Sequence, residues 1–274
     1  MAQDKDTKSR PRFHTLTVND ITRETADTVS VAFAVPEELA ENYKFLPGQY
    51  LTLQHNINGE PVRRSYSLCS SPLDGELRVA IKTVEGGKFS TYANTQLQVG
   101  EKMKVMTPEG NFTVKPTETA QKNYVAFAAG SGITPVYSIL KSVLESEPQS
   151  TFTLFYGNKT GKTIIFKDQI ESLKNRFMNR LETHHVLSRE DQGTDLLKGR
   201  LNAEKCKQYA GQFFEPEAVD AYLLCGPGTM ITEVSDTLQS LGVPKEKVMY
   251  ELFTSPTDNQ AKTETKKEAK KKKS

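Results

Sequence analysis

Residues 124–135 read Tyr124-Val125-Ala126-Phe127-Ala128-Ala129-Gly130-Ser131-Gly132-Ile133-Thr134-Pro135. A continuous apolar run of this kind is what a strand buried on both faces of a parallel sheet looks like. The glycines that follow permit a tight turn and a close approach of backbone to a phosphate. Pro135 suits the first turn of a helix, and a helix is expected over Pro135–Glu147. The start of that helix offers unpaired N–H groups and a partial positive charge to an anion. Gly130, Gly132, Thr134 and Pro135 are therefore candidates for holding a dinucleotide. The turn is not the six-residue GxGxxG form, and an ordinary tight turn uses the same residues.

The same alternation continues toward the C-terminus. Strands are expected at Thr151–Tyr156, Leu181–Leu187 and Tyr222–Cys225, with helices near Phe166–Phe177 and Thr229–Leu241. Apolar strands alternating with helices predict a doubly wound parallel sheet. Ligands of such sheets sit at the carboxyl ends of strands. There Leu224-Cys225-Gly226-Pro227-Gly228 makes a second glycine turn, expected to share a crevice with the first. Cys225 either lies against a reactive ring or is a small buried apolar residue. No neighbouring base marks it as a nucleophile. Ser188-Arg189, at the end of the third strand, pairs a hydroxyl with a guanidinium, as a ribose phosphate requires. A solvated surface Arg would look the same. Lys159 and Arg200 are further candidate cations. His184 and His185 are predicted to point to opposite faces, and the four His have no metal-site spacing.

Toward the N-terminus the period changes. Phe13–Val18, Val29–Val35, Tyr50–Gln54, Ser65–Cys69, Leu77–Thr83 and Met103–Met106 read as short strands. Pro47-Gly48, Asn58-Gly59, Asp74-Gly75 and Glu85-Gly86-Gly87 punctuate them. This spacing predicts a small antiparallel barrel, interrupted by a helix over Ser90–Leu97. Residues 113–122 read as a linker. The expected organisation is a flexible 1–11, a barrel over 12–115, an α/β unit over 120–254 and a disordered tail over 255–274.

The barrel carries Arg63-Arg64-Ser65-Tyr66-Ser67-Leu68. Alternate strand residues share a face, so Arg64 and Tyr66 can address one ligand. A guanidinium fork suits a pyrophosphate, a phenol stacks on a planar heterocycle, and the Ser67 hydroxyl can reach a ring nitrogen. Together they describe a site for a flavin dinucleotide; the plain alternative is a surface Arg beside a core Tyr. Gly86-Gly87-Lys88-Phe89-Ser90 precedes the helix and suits a pyrophosphate, or Ser90 simply N-caps that helix. Ser65, and Ile81 and Lys82 on the preceding strand, complete the candidate cofactor contacts.

Composition narrows the class. The chain has 274 residues, natural for two domains, and no apolar window of membrane-spanning length. The polar N-terminus is not a secretory signal. Three scattered cysteines point to a reducing cytoplasm. They also exclude a thiolate-ligated iron–sulfur cluster built into this chain, which needs four organised ligands. The net charge of +2 hides seven Lys and two Glu within 262–274, leaving 29 basic and 32 acidic residues elsewhere. That tail reads as a solubilising end, with tethering to an acidic partner the functional alternative; no interleaved aromatics point to nucleic acid.

Arg64-x-Tyr66-Ser67, Gly86-Gly87-x-x-Ser90, Gly130-x-Gly132-x-Thr134-Pro135, Tyr156-Gly157-Asn158, Cys225-Gly226-Pro227-Gly228 and Glu251-x-Phe253 occur in the order of the ferredoxin–NADP reductase superfamily, which the chain resembles over residues 12–254. The nearest likeness is to reductase components of bacterial multicomponent oxygenases, including the phenylacetyl-CoA oxygenase type. Those usually continue into a [2Fe–2S] domain after the position of Phe253, where this sequence runs into Ser255-Pro256 and the lysine tail.

The resemblance implies an FAD-binding Greek-key barrel followed by a nucleotide-binding α/β domain. It implies hydride transfer from NADPH, or NADH, to FAD and then single electrons to an external ferredoxin or flavodoxin. Arg64, Gly87 and Ser90 would hold the FAD pyrophosphate, Tyr66 would pack on the flavin and Ser67 would bond near N5. Gly130, Gly132, Thr134, Tyr156, Asn158, Gly226 and Pro227 would shape the nicotinamide dinucleotide site. Ser188 and Arg189 would meet a 2′-phosphate. Cys225, Glu251 and Phe253 would lie beside the reacting rings. A flavin-releasing reductase, an electron-transfer subunit and a sensor without turnover are the alternatives.

Overall fold

The structure is a computed structural model that describes residues 11–253. The expected lysine tail and all but Pro11 of the expected flexible N-terminus lie outside the described residues.

Strands β1 (Phe13–Thr25), β2 (Thr28–Ala34), β3 (Tyr50–Ile57), β4 (Glu60–Ser67), β5 (Leu77–Lys82) and β6 (Lys102–Met106) form one antiparallel sheet in the order β4-β3-β6-β1-β2-β5. Only β1–β2 and β3–β4 are hairpins, so the arrangement is a Greek key. The sheet curls into a half-barrel, the small antiparallel Greek-key barrel expected. The edges β4 and β5 meet at a bridge between Leu68 and Val79. Helix α1 (Lys88–Thr95) packs against β2, β3, β4 and β5 and buries Phe89 and Ala93. It begins two residues before the expected Ser90.

The β3–β4 hairpin sets the register of the site. Asn58 and Gly59 have φ of 53° and 82°, the double left-handed turn that matches strand twist. That turn starts β4 at Glu60, five residues earlier than expected, and places Arg64 opposite Leu53, Tyr66 opposite Leu51 and Ser67 opposite Tyr50. Strand β1 runs past Val18 to Thr25 through an irregularity between Val18 and Asp20, a bulge that bends the strand without ending it.

Strands β7 (Asn123–Ala129), β8 (Thr151–Asn158), β9 (Leu181–Leu187), β10 (Ala221–Gly226) and β11 (Val248–Leu252) form a wholly parallel sheet in the order β11-β10-β7-β8-β9. Ala126 and Ala128 pack with α2 (Ile133–Ser146) and α3 (Lys167–Arg176), while Val125 and Phe127 pack toward α4 (Ala203–Tyr209) and α5 (Gly228–Ser240). Both faces of β7 are therefore dry, which is why it reads as an unbroken apolar run. The sequence did not announce α4, short and largely polar, or β11, whose Tyr250 and Leu252 are exposed.

The two sheets share a core. Cys69, Ala80, Phe112 and Val114 join the cluster around α2, so the start of the expected linker is packed chain. Gly48, with φ 94°, lies where a Cβ would overlap the Phe112 carbonyl and come 3.0 Å from Ile139 Cδ1. The Pro47-Gly48 turn is thus a seam between the halves.

Candidate functional site

The site forms where the end of β4 meets the carboxyl ends of β10 and β11. Ser67 is buried, and its hydroxyl lies 3.5 Å from Glu251 Oε2. Glu251 pairs in register with Cys225 on the neighbouring parallel strand. A hydroxyl, a carboxyl and a thiol from distant parts of the chain are thus brought together. Burial pushes the Glu251 carboxyl up to about 7, the Ser67 hydroxyl opposing the shift. Burial, with Glu251 adding to it, pushes the Cys225 thiol well above its ordinary value. Cys225 is therefore a neutral thiol packed in the α2-side core, and the nucleophile reading finds no support.

Tyr50 belongs to this site and sequence reasoning missed it. It sits opposite Ser67 and bridges Glu109 through paired backbone bonds of 2.7 and 3.0 Å. Burial raises its phenol, and the charges of Glu109 and Glu251 add to the effect. The signal available was its place two residues after Pro47-Gly48; only strand register shows that it faces Ser67.

On β4 the expected alternation holds. Tyr66 is half-buried, with its ring 5.6 Å from that of Phe89 on α1. Arg64 is exposed, and its guanidinium donates to the Arg63 carbonyl at 2.7 Å with no carboxylate partner among the described residues. Ser65 bonds Thr52 at 2.9 Å on the other face of the strand, away from Arg64 and Tyr66.

Other candidates are placed differently from the expectation. The Ile81 side chain lies in the half-barrel core and Lys82 is held by Asp27 at 2.8 Å, so neither side chain is free for a ligand. Phe89 is fully buried. Ser90 does not N-cap α1; Gly87 does. The Ser90 hydroxyl accepts from Val84 N at 3.0 Å and donates to Gly87 O at 3.3 Å, which folds the glycine loop instead. Lys88 pairs with Glu60 at 2.5 Å across a cleft of about 350 Å³ beside Gly86 and Gly87.

The two glycine turns of the parallel sheet lie in direct contact. A Cβ on Gly132 would overlap the Cys225 carbonyl and lie 2.8 Å from Gly226 N. Thr134 is buried and its hydroxyl donates to Ser131 O at 3.0 Å, while the Tyr156 phenol donates to Gly130 O at 2.9 Å. Pro135 is buried in the first turn of α2. Pro227 caps α5. Asn158, ending β8, has a buried amide nitrogen without a partner among the described residues, a donor left for a ligand oxygen. Ser188 and Arg189 follow β9, their backbone N–H groups bonded to Asn158 O and Lys159 O at 2.9 and 2.8 Å. Arg189, Lys159 and Arg200 are exposed. Phe253 is 36% exposed beyond β11.

His184 stacks on Phe155 while His185 leans toward Tyr156, on opposite faces as expected. Burial lowers both imidazoles below the ordinary histidine value.

Two family models cover most of the chain: Oxidoreductase FAD-binding domain matches residues 15–114 and Oxidoreductase NAD-binding domain matches 127–236. A component of the 1,2-phenylacetyl-CoA epoxidase of Escherichia coli is 41% identical over 244 residues, 89% of this chain and 68% of that protein. The chain belongs to the ferredoxin-reductase family of FAD- and NAD-binding oxidoreductases. A ferredoxin reductase component of 3-ketosteroid-9-alpha-monooxygenase from Rhodococcus rhodochrous is 35% identical, over 88% of this chain and 65% of that one. The chain thus spans about two thirds of the length of these relatives. Among solved structures, the FAD/NAD binding domain of a nitric oxide dioxygenase from Vibrio cholerae superposes with a TM-score of 0.74 at 26% identity, covering 87% of this chain and 98% of that one. A ferredoxin NADP+ reductase from Neisseria gonorrhoeae, 20% identical, shares the fold at a TM-score of 0.72 over 87% of this chain and 98% of its own. No helix of the described residues is long and apolar enough to cross a membrane.

As a member of this family the chain has an FAD-binding and an NAD-binding domain, and the residues on β4 and at the glycine turns have chemistry compatible with those groups. The fit rests on features of the site itself: an uncompensated Arg64, a half-exposed Tyr66, the Gly132 approach and the orphaned Asn158 amide.

Proposed function

We propose that this cytoplasmic protein takes hydride from NADPH onto FAD and passes electrons singly to an external carrier of the ferredoxin or flavodoxin class. The observation that carries this reading is the meeting of Ser67, on the FAD-binding half, with Glu251 and Cys225, on the nucleotide-binding half. It places polar groups of both halves at one point, where two stacked rings would react. FAD, when bound, accepts the hydride and supplies the one-electron chemistry.

The chain's own residues position and tune. Arg64 holds the pyrophosphate by a charge-assisted fork, and the Gly86-Gly87 backbone, braced by Ser90, lines its other side. Tyr66 and Phe253 would pack on the flavin and shield it from water. Ser67 offers its hydroxyl near the reacting nitrogen. Glu251, titrating near neutrality, holds or releases a proton at Oε2 beside Ser67. The Cys225 thiol, neutral, fills the space beside the nicotinamide. Tyr156 braces Gly130, and Asn158 donates to the dinucleotide. Ser188 and Arg189 read the 2′-phosphate.

Anaerobic rapid mixing with NADPH and with NADH, followed by flavin absorption, tests this. Fast bleaching by NADPH and slow bleaching by NADH are expected; a flavin bleached by neither overturns the reading. Flavin lost on gel filtration favours a flavin-releasing reductase. Arg189→Ala is expected to lower kcat/KM for NADPH about tenfold and leave NADH use within twofold, one charge-assisted bond being lost. Equal losses with both nucleotides would remove Arg189 from the phosphate site. Arg64→Ala is expected to weaken FAD retention tenfold or more, measured by fluorescence of released flavin; unchanged retention would reject the pyrophosphate role.

A further inference from the structure

A second cavity lies on the seam between the two halves and shares no residue with the flavin and dinucleotide candidates. It measures about 210 Å³ and takes its walls from both sides: Glu24, Glu76 and Arg78 from the half-barrel, Tyr137 and Lys141 from α2, and Phe166 before α3. Two groups in it are left incomplete by the fold. Tyr137 is only 8% exposed, yet its phenol makes no hydrogen bond among the described residues. Its oxygen is not sealed in the core and so opens on the cavity. A polar group placed this deep costs free energy unless something reaches it. Glu24 accepts from Ser30 Oγ at 2.6 Å and from Gln169 Nε2 at 3.1 Å. Both donors are neutral, and Glu24 has no cationic partner among the described residues. The cations present are already matched: Arg78 is shared by Glu76 and Asp20, each at 2.7 Å, and Lys141 pairs with Asp74. The cavity therefore keeps a net negative charge beside an aromatic wall, in which the Tyr137 and Phe166 rings stack at 4.9 Å.

We propose that this cavity is a binding site for a small organic cation, a primary alkylammonium whose head meets Glu24 and Tyr137 and whose short apolar body lies on the Tyr137–Phe166 pair. The inference goes beyond the electron-transfer reading and does not rest on it. An ammonium has three donors and no acceptor, so one N–H serves the Glu24 carboxylate and another the phenol oxygen. Aromatic faces attract a cation, while an anion would meet a carboxylate that nothing neutralises. Sites for drug-sized ligands start at roughly 300 Å³, so this one takes a molecule of a few heavy atoms. Glu24 is fixed by its two hydrogen bonds, one of them reaching across the seam to α3. A site set in advance loses little freedom on binding. Because both halves supply its walls, an occupant stabilises their junction by mass action.

The test titrates the full chain, with FAD bound, with butylammonium and separately with butyrate, followed by saturation-transfer NMR of the ligand. Saturable binding of butylammonium, at least tenfold tighter than that of butyrate, is expected. Glu24→Gln should weaken it at least tenfold and Tyr137→Phe at least threefold. Glu37→Gln, an exposed acid elsewhere on the half-barrel, should leave it unchanged. The flavin spectrum and its bleaching by NADPH should be the parent's in all three variants. The parent's thermal midpoint should rise with butylammonium and that of Glu24→Gln should not. Tyr137→Phe removes only an unpartnered hydroxyl, so it tests the site even if Glu24→Gln folds poorly. Absence of saturable binding overturns the proposal, as does butyrate binding equally well or full affinity in Tyr137→Phe. An equal loss in Glu37→Gln would reduce the effect to general attraction to an acidic surface, and displacement of butylammonium by NADPH would move it to the dinucleotide site; either result overturns the proposal.

Discussion

Gly132→Ala is expected to abolish NADPH-driven flavin reduction, lowering its rate at least a hundredfold, and to destabilise the fold by about 3 kcal/mol or more. Gly132 has ordinary helical backbone angles, so conformational freedom is not what the position needs. The requirement is contact: a Cβ would overlap the Cys225 carbonyl and press on Gly226 N, both backbone atoms that cannot rotate aside. The two glycine turns must then separate at the switch between β7 and β10. Gly130 provides the contrast. Nothing lies within 4 Å of its Cβ position, but its φ is +54°. Gly130→Ala should therefore cost only the left-handed penalty, about 1–2 kcal/mol. Urea unfolding of both variants, with NADPH titration, checks this. A Gly132→Ala protein with parental stability and parental flavin reduction would show that the turns do not depend on their contact.

Glu251→Gln is expected to stabilise the protein at high pH and not at low pH. Burial raises the folded-state carboxyl from 4.5 to about 7, so the neutral form is favoured on folding. The stability this contributes is complete below the unfolded value near 4.5 and is lost as pH rises toward 7. Above that, the parent carries a buried charge that the amide does not. The variant should therefore gain up to about 3 kcal/mol over the parent at pH 8, and nothing comparable at pH 4. The same titration should appear in function. The parent's flavin-reduction rate is expected to change with an inflection near pH 7, and the variant's profile to lack it. Unfolding curves at the two pH values and a pH–rate series test both parts. A variant whose inflection stays near 7 would show that another group titrates at the site.

The candidate site was partly legible in advance because some of its requirements are local. Arg64, Tyr66 and Ser67 are neighbours on one strand, and strand alternation alone separates Arg64 and Tyr66 from Ser65. Ile81, Lys82 and Ser90 read equally well as ligands. What decided against the side chains of Ile81 and Lys82 was the half-barrel core and Asp27, and the Ser90 hydroxyl was found bracing its own loop. The Ser90 partners, Val84 and Gly87, lie in its own loop, whereas the strands around Ile81 and the Asp27 that holds Lys82 are far away in sequence. Tyr50 was missed for the same reason: its role comes from the residue across the hairpin, Ser67.

The sequence by itself determined the two sheet types, the helices α1, α2, α3 and α5, and the glycine turns, because apolar period, turn chemistry and helix starts are set by residues a few positions apart. It also determined which strand face could meet a cofactor. Tertiary structure alone decided the rest. It seated α1 against β2, β3, β4 and β5, and it added β11, a five-residue strand with two exposed apolar side chains. Tertiary packing also holds Phe166 at φ 60° while its ring stacks on Tyr137 at 4.9 Å, a conformation no local preference of a bulky residue would choose. It set Ser67 against Glu251 across 184 positions of sequence. Such contacts depend on how whole sheets pack, and buried area rather than local propensity selects that packing.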